Sequence, residues 1–298
     1  VYPELYKAFV SKLTVFNLDW NFVLSYSCLV ATDFYDHLLV YTIAPLVMLV
    51  LLVGSYVVAK KRNDSSESAK RAVRHKHLSA LHFLALFIYS PVSYKIFQTF
   101  SCDDLDDGNS YLRADYSLSC LTPSHRWFQT YALIMVAIYP LGIAAVFASV
   151  LAWNIHDLAK PHRESIVRLK PFHGLWGAYK PSRYFYEVVE CGRRVSLTVI
   201  AAFVPSNGVT QVSIALAFAV AWVFISEIIS PFANRADTNL YRWGNGIVVA
   251  SMYVAFLAKV DFDYPKETLF AFSGVLILAN VLMVVMVLLQ TALLVKEL

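Results

Sequence analysis

Four ionisable residues, Glu187, Glu190, Arg193 and Arg194, stand close enough along the chain to bind ions, protons or one another. Separations of three and four residues put side chains on one helical face, so Glu190 can pair with Arg193 or Arg194 inside its own helix. The simpler reading is an anchor at a helix start, with intrahelical pairs and all four residues near a membrane interface. The functional alternative is a gating or coupling role.

Cys102 and Cys120 flank a second cluster, Asp103, Asp104, Asp106 and Asp107 followed by Gly108 and Asn109. On an oxidising side the two cysteines favour a disulfide that pins the loop; Cys28 offers a competing partner, and spacing alone does not choose. Cys191 reads as a free buried thiol. The carboxylate density is that of a calcium loop, since hard cations need about six to eight oxygens, but the spacing departs from the twelve-residue ligand loop. A solvated acidic loop is the simpler reading, and cation binding or concentration at an external mouth is the functional one. No metal ligand set is assigned.

Glu227, Lys259 beside Asp261, Asn280 and Gln290 are polar groups in or at the ends of apolar stretches, where lipid would penalise them; they are expected to face other helices. His82 is the one histidine well inside an apolar stretch, and a packed, hydrogen-bonded ring is expected there. Zinc-binding His pairs, nucleophile elbows, phosphate-binding glycine loops and paired intramembrane aspartates are missing from the sequence, so no enzyme and no cofactor is expected.

The elements that must hold these residues are set by hydropathy. Of 298 residues, 58% are apolar and 15% charged, against about a quarter charged in soluble domains. A modest net charge of +4 argues for membrane orientation and not for nucleic acid. Stretches of about 17 to 25 residues with few charges cross a hydrocarbon core. They predict an all-α polytopic transmembrane helix bundle of about seven spans, near 37–59, 78–100, 127–153, 182–204, 209–229, 243–258 and 268–295. The fourth must carry its Glu/Arg cluster through the headgroup region. Pro45, Pro91 and Pro140 predict kinks.

Basic residues fill the connection Lys60 to Lys76 and the one after the third span, whereas Cys102 to Arg126 and Asp261 to Glu267 are acidic. Positive charge stays inside, which puts the N-terminus outside and the C-terminus inside. Residues 1–36 are read as an extracellular or interfacial segment, with Leu5, Tyr6, Phe9, Val10 and Leu13 at helical spacing. The same spacing also fits the end of a missing span. Residues 37–298 form the transmembrane domain. The stretch Asn63 to Ser68 is read as a mobile cytosolic loop. A start at Val1 without a leader pattern suggests part of a longer polypeptide.

Five patterns together resemble one family: Val15-Phe16-Asn17-Leu18-Asp19 with Cys28; Cys102 through Tyr111-Leu112-Arg113-Ala114-Asp115-Tyr116-Ser117 to Cys120; Trp176, Tyr179 and Pro181 to Tyr186, Glu187 and Glu190; Arg193-Arg194 with Leu197-Thr198; and Ser230-Pro231-Phe232 with Asp237 and Asn239. The set is similar to the C-terminal membrane domain of large algal and oomycete surface proteins with cysteine-rich, ephrin-receptor-like repeats, and loosely to the transient-receptor-potential or polycystin group. That resemblance implies a large extracellular region of the same polypeptide and a plasma or other surface membrane of a eukaryotic cell. A channel-like or mechanosensory module is the leading expectation, and a homo-oligomer ringed around a hydrated axis would favour it. A seven-span receptor, or an anchor for an extracellular filament or matrix, is the alternative. The expected partner in either case is the lipid bilayer, with no nucleic acid.

Overall fold

Helices make up most of the molecule, as hydrocarbon demands: no water is there to bond a free N–H or C=O, and a helix satisfies both internally. In the computed structural model the described residues are 6, 8, 9, 33–62, 66–105, 108–159, 169–204, 209–260 and 266–296, without the side chains of 266–269 and 290–296. In chain order the helices are α1, Phe34–Arg62; α2, Glu67–Gln98; and α3, Pro123–Val136, which continues through a π-helical turn at Ala137–Ile143 into α4, Ala144–Trp153. Then follow α5, Tyr186–Phe203; α6, Thr210–Ile229; α7, Arg235–Lys259; and α8, Lys266–Lys296. Short helices at Ile155–Ala159 and His173–Trp176 lie ahead of α5.

Among the described residues, five stretches are long and apolar enough to cross a membrane: α1, α2, α3 through α4, α6, and residues 270–289 of α8. Their outer surfaces fit that solvent. Val50 and Leu51 on α1, and separately Leu288 on α8, are more than 60% exposed; such apolar exposure would drive aggregation in water and is ordinary against lipid. Trp127 and Trp153 stand exposed near the two ends of the α3 to α4 stretch, as interfacial aromatics do. The other two stretches that hydropathy suggests, α5 and α7, do not reach the same measure. α5 carries Glu187, Glu190, Arg193 and Arg194 within 18 residues, and α7 opens with Arg235, Asp237 and Arg242.

The chain divides into two compact units inside the stretch read as one domain, residues 23–203 and residues 204–298 with 1–22. In the first, α2 is central and packs on α1, α3, the π turn and α5. Its core gathers Tyr89, Phe147, Leu151, Leu158, Leu169, Leu175 and Cys191. In the second, α7 packs between α6 and α8, and Tyr6 is buried with Val254 and Leu276 while its hydroxyl meets Ser251 Oγ at 3.2 Å.

Two connections differ from their reading as loops. α1 runs on through Lys60, Lys61 and Arg62, where cations complement the negative helix end, and α2 has begun by Glu67. Most of the basic Lys60 to Lys76 connection, and the last part of the stretch read as a mobile loop, is therefore helix. The acidic connection after α2 is a three-stranded antiparallel sheet, β1 Cys102–Asp104, β2 Ser110–Leu112 and β3 Asp115–Ser119, in the order β1-β2-β3. Cys102 pairs with Leu112 and Asp104 with Ser110. Gly108 turns the β1 to β2 connection at φ 77°, which a side chain would oppose. Strands of three to five residues are too short for alternation to reveal.

Candidate functional site

The Glu/Arg cluster lies in the first half of α5, whose contacts with α2 and α4 bury Tyr186 and Cys191 completely. Glu187 and Glu190 are also buried, at 6% and 4% exposure. Both carboxylates therefore sit inside the protein, at whatever depth α5 lies in the membrane. Arg193 Nε lies 3.0 and 2.9 Å from the two Glu190 oxygens, and its second nitrogen closes the fork. Arg194 Nε lies 3.4 Å from Glu190 and its Nη2 3.9 Å from Glu187. The Tyr179 hydroxyl donates to Glu187 Oε2 at 2.5 Å. Burial first, then the neighbouring Glu187 charge, pushes the Tyr179 phenol well above its ordinary range, so it serves Glu187 as a donor. Two carboxylates thus face two guanidiniums, so the buried charges balance, the condition for keeping them out of water.

Tyr89, which spacing in the sequence does not single out, ties this region to its neighbours: its hydroxyl donates to Pro140 O at 3.2 Å and to Cys191 O at 3.4 Å. Tyr179 falls within one of the quoted sequence patterns, and its role could have been suspected from its place before two glutamates. Tyr89 carries no such signal, because the carbonyls it meets are 51 and 102 residues away.

The far end of α5 is held by the sheet. Ala202 O accepts from Ser101 Oγ at 2.6 Å and from Arg113 Nη1 at 3.2 Å. Last-turn carbonyls have no intrahelical partner and attract cations, so this is where a guanidinium belongs. Arg113 also donates through Nε and Nη2 to Asp103 Oδ1 at 2.9 and 2.7 Å, and Tyr116 donates to Asp103 Oδ2 at 2.7 Å. The Arg113 bonds, aided by Tyr116 against burial, hold the Asp103 carboxyl below the usual aspartate range.

Asp103 is therefore engaged by Arg113, while Asp104 is exposed; Asp106 and Asp107 lie outside the described residues. The sulfurs of Cys102 and Cys120 are 1.93 Å apart, a disulfide distance; Cys28 is outside the described residues and Cys191 is a buried free thiol. His125 stands beside this pair, with Nδ1 2.8 Å from the Tyr35 hydroxyl and Nε2 3.6 Å from Cys102 Sγ. Cys102, Cys120 and His125 converge as metal ligands would, but joined sulfurs have no thiolate to offer. Phe34 N donates to Asp115 Oδ2 at 3.3 Å, so the sheet is braced on α1 as well, and Lys95 of α2 lies over the Phe34 ring at 4.1 Å.

Of the scattered polar residues, Glu227 meets its neighbour helix: Arg242 Nε and Nη2 reach its two oxygens at 2.6 and 2.5 Å. Asn280 does not. Its Nδ2 donates to Leu276 O in its own helix, and the α7 to α8 bond is made by Trp243 Nε1 to Ala279 O at 3.2 Å. A side chain on a tight helix face can return to the preceding turn, which supplies a carbonyl without help from a neighbour. Lys259 is half-buried at the end of α7; Asp261 and the Gln290 side chain fall outside the described residues. His82 departs from expectation: it is buried, and neither ring nitrogen has a partner.

Comparison with known protein families, with curated proteins and with solved structures finds no match.

Proposed function

We propose that the chain is the membrane domain of a large surface protein and works as a channel-like or mechanosensory module in which α5 carries a change in the sheet to the buried ion cluster. The observation behind this reading is that α5 is held at both ends. Ala202 O bonds Ser101 and Arg113 of the sheet segment, and Glu187 and Glu190 lie 15 and 12 residues earlier. At 1.5 Å per residue the two holds are roughly 20 Å apart, a rigid lever across much of a bilayer. A buried cluster of two acids and two guanidiniums has discrete pairings rather than a continuum, which suits a switch; ionisable residues within a membrane helix are functional suspects by default.

In this reading α5 and α7 complete a seven-span topology with the N-terminus and sheet outside and the C-terminus inside. A disulfide between Cys102 and Cys120 suits that outer face. The resemblance to protist surface proteins supports an extracellular region of the same polypeptide. A receptor or anchor without conduction draws on the same α5 tie.

Reconstitution of the full chain in liposomes separates them. The proposal expects tension-evoked current, reduced by Arg113→Ala, which unties the sheet from Ala202. Absence of current under tension, voltage and calcium overturns conduction. A monomer that recovers a partner through its basic loops then favours the receptor or anchor.

A further inference from the structure

α1 and α2 run antiparallel, with Lys95 over Phe34 at one end of the pair and His77 beside Ser55 toward the other, where Nε2 lies 3.1 Å from the serine Oγ. Near this second, basic end the two helices leave a groove of about 210 Å³ between them. Leu49 and Leu81 line its deeper part, and Tyr56 and Arg74 line the part nearer the end of α1 at Lys60, Lys61 and Arg62. At 1.5 Å per residue, positions 49 and 56 are roughly 10 Å apart along α1, enough for a length of acyl chain. Val53 also lines the groove and is 53% exposed, so the opening faces sideways, toward the hydrocarbon that α1 and α2 would meet as spans.

Charge chooses what fits there. His77 is already engaged, for its Nδ1 meets Val73 O at 2.8 Å, its Nε2 meets Ser55, and its ring stands edge-on to Tyr56 with the centroids 5.5 Å apart. Arg74 is exposed and, among the described residues, makes neither an ion pair nor a hydrogen bond. Glu67 is the one acid of α2, and Lys70 holds it at 3.1 Å. No acid lines the groove, while Lys60, Lys61, Arg62, Arg71 and Lys76 stand exposed at the same ends of the two helices. A guanidinium presents a planar fork of donors that suits a phosphate, and the apolar wall beyond it suits hydrocarbon. A soluble anion would leave that wall bare. A sterol would bring the cations no charge, and phosphatidylcholine would bring a cation of its own. Basic pockets between membrane helices on the cytosolic side take anionic lipid head groups, and that leaflet is the one that carries such lipids.

We propose that the groove between α1 and α2 binds an anionic diacyl phospholipid, with its phosphate on Arg74 and one acyl chain along Val53 toward Leu49 and Leu81. The site rests on α1 and α2 lying in a bilayer and is independent of whether the chain conducts ions. Phosphatidic acid, phosphatidylserine and a phosphoinositide share the required chemistry.

The test uses the full chain in phosphatidylcholine nanodiscs, with a trace of each of these three lipids, or of phosphatidylcholine itself, carrying a photoreactive group on one acyl chain. At least one anionic probe should label the peptides that contain residues 49–56 or 74–81 about fivefold more than the phosphatidylcholine probe, the worth of one charged hydrogen bond partly screened by solvent, and the probe that does so identifies the head group. Arg74→Gln, at an exposed position that folding tolerates, should reduce this labelling to the phosphatidylcholine level. Arg62→Gln removes the same charge outside the groove and should leave labelling within about twofold of wild type. The matching water-soluble head group should compete far less well than the unlabelled diacyl lipid. The proposal is overturned if anionic and phosphatidylcholine probes label the lining equally, if Arg62→Gln lowers labelling as much as Arg74→Gln, which would mean a diffuse surface field, or if the soluble head group competes as well as the lipid, which would mean an anion site without a seat for the chain.

Discussion

Replacing Arg113 by alanine removes the two guanidinium bonds to Asp103 and the one to Ala202 O, and leaves Tyr116 as the donor to an 8% exposed carboxylate. Hydrogen bonds to charged groups contribute about 1.5 to 3 kcal/mol each. The Arg113 side chain is 18% exposed, so solvent screens part of the pairing, and about 2 kcal/mol is a fair figure for loss of the set. At 1.4 kcal/mol per tenfold, amides of residues 102–119 should exchange with deuterium about thirtyfold faster, while the core helices keep their protection. Hydrogen exchange on the full chain in nanodiscs reads this directly, and a double-mutant cycle with Asp103→Asn isolates the pair. The pH dependence has a defined sign. The Asp103 carboxyl is held below its ordinary range in the folded sheet, so its stabilisation is complete above the unfolded value, about 4, and disappears as pH falls through the lower folded value. In Arg113→Ala much of that depression goes, and acid loss of protection should begin nearer pH ~4. Exchange within about threefold of wild type, or a coupling near zero, would refute the account of the sheet as clamped by this pair.

Glu190→Gln removes the carboxylate that holds Arg193 through both oxygens and leaves Arg194 the Glu187 contact, and should destabilise the chain by about 2 kcal/mol, read as a lower melting temperature in detergent. Glu190→Gln with Arg193→Gln should cost less than the sum of the two single changes, because the double change removes both partners of one pair. The Glu227 and Arg242 side chains are 42% and 53% exposed, so solvent screens the pair: Glu227→Ala should leave the melting temperature almost unchanged, and the charge swap Glu227→Arg with Arg242→Glu should match wild type. For topology, single cysteines at Lys70 and Asp104 should label with membrane-impermeant maleimide from opposite faces of a sealed vesicle; labelling from one face would overturn the orientation and the outer placement of the sheet.

Much of the helix framework is legible from the length of the apolar runs, because an apolar run of about 20 residues has few places to go but a bilayer. Local spacing likewise announces the Glu190 to Arg193 pair, since both partners share one helix turn. Distant partners leave no such trace. Tyr89 on α2 with Pro140 and Cys191, Arg113 with Ala202, and Glu227 with Arg242 depend on which helices pack together. The sheet escaped because its strands are short and its acidic turn reads like any solvated loop.

Chain chemistry alone determined that long helices would form and that two cysteines would flank an acidic connection, for hydropathy and residue type are properties of the chain itself. Tertiary structure alone decided that the α5 carboxylates are buried, that Asp103 turns to Arg113, and that His82 is buried with both nitrogens unmet. Burial and pairing are set by which surfaces meet across space, and no spacing along the chain encodes that meeting.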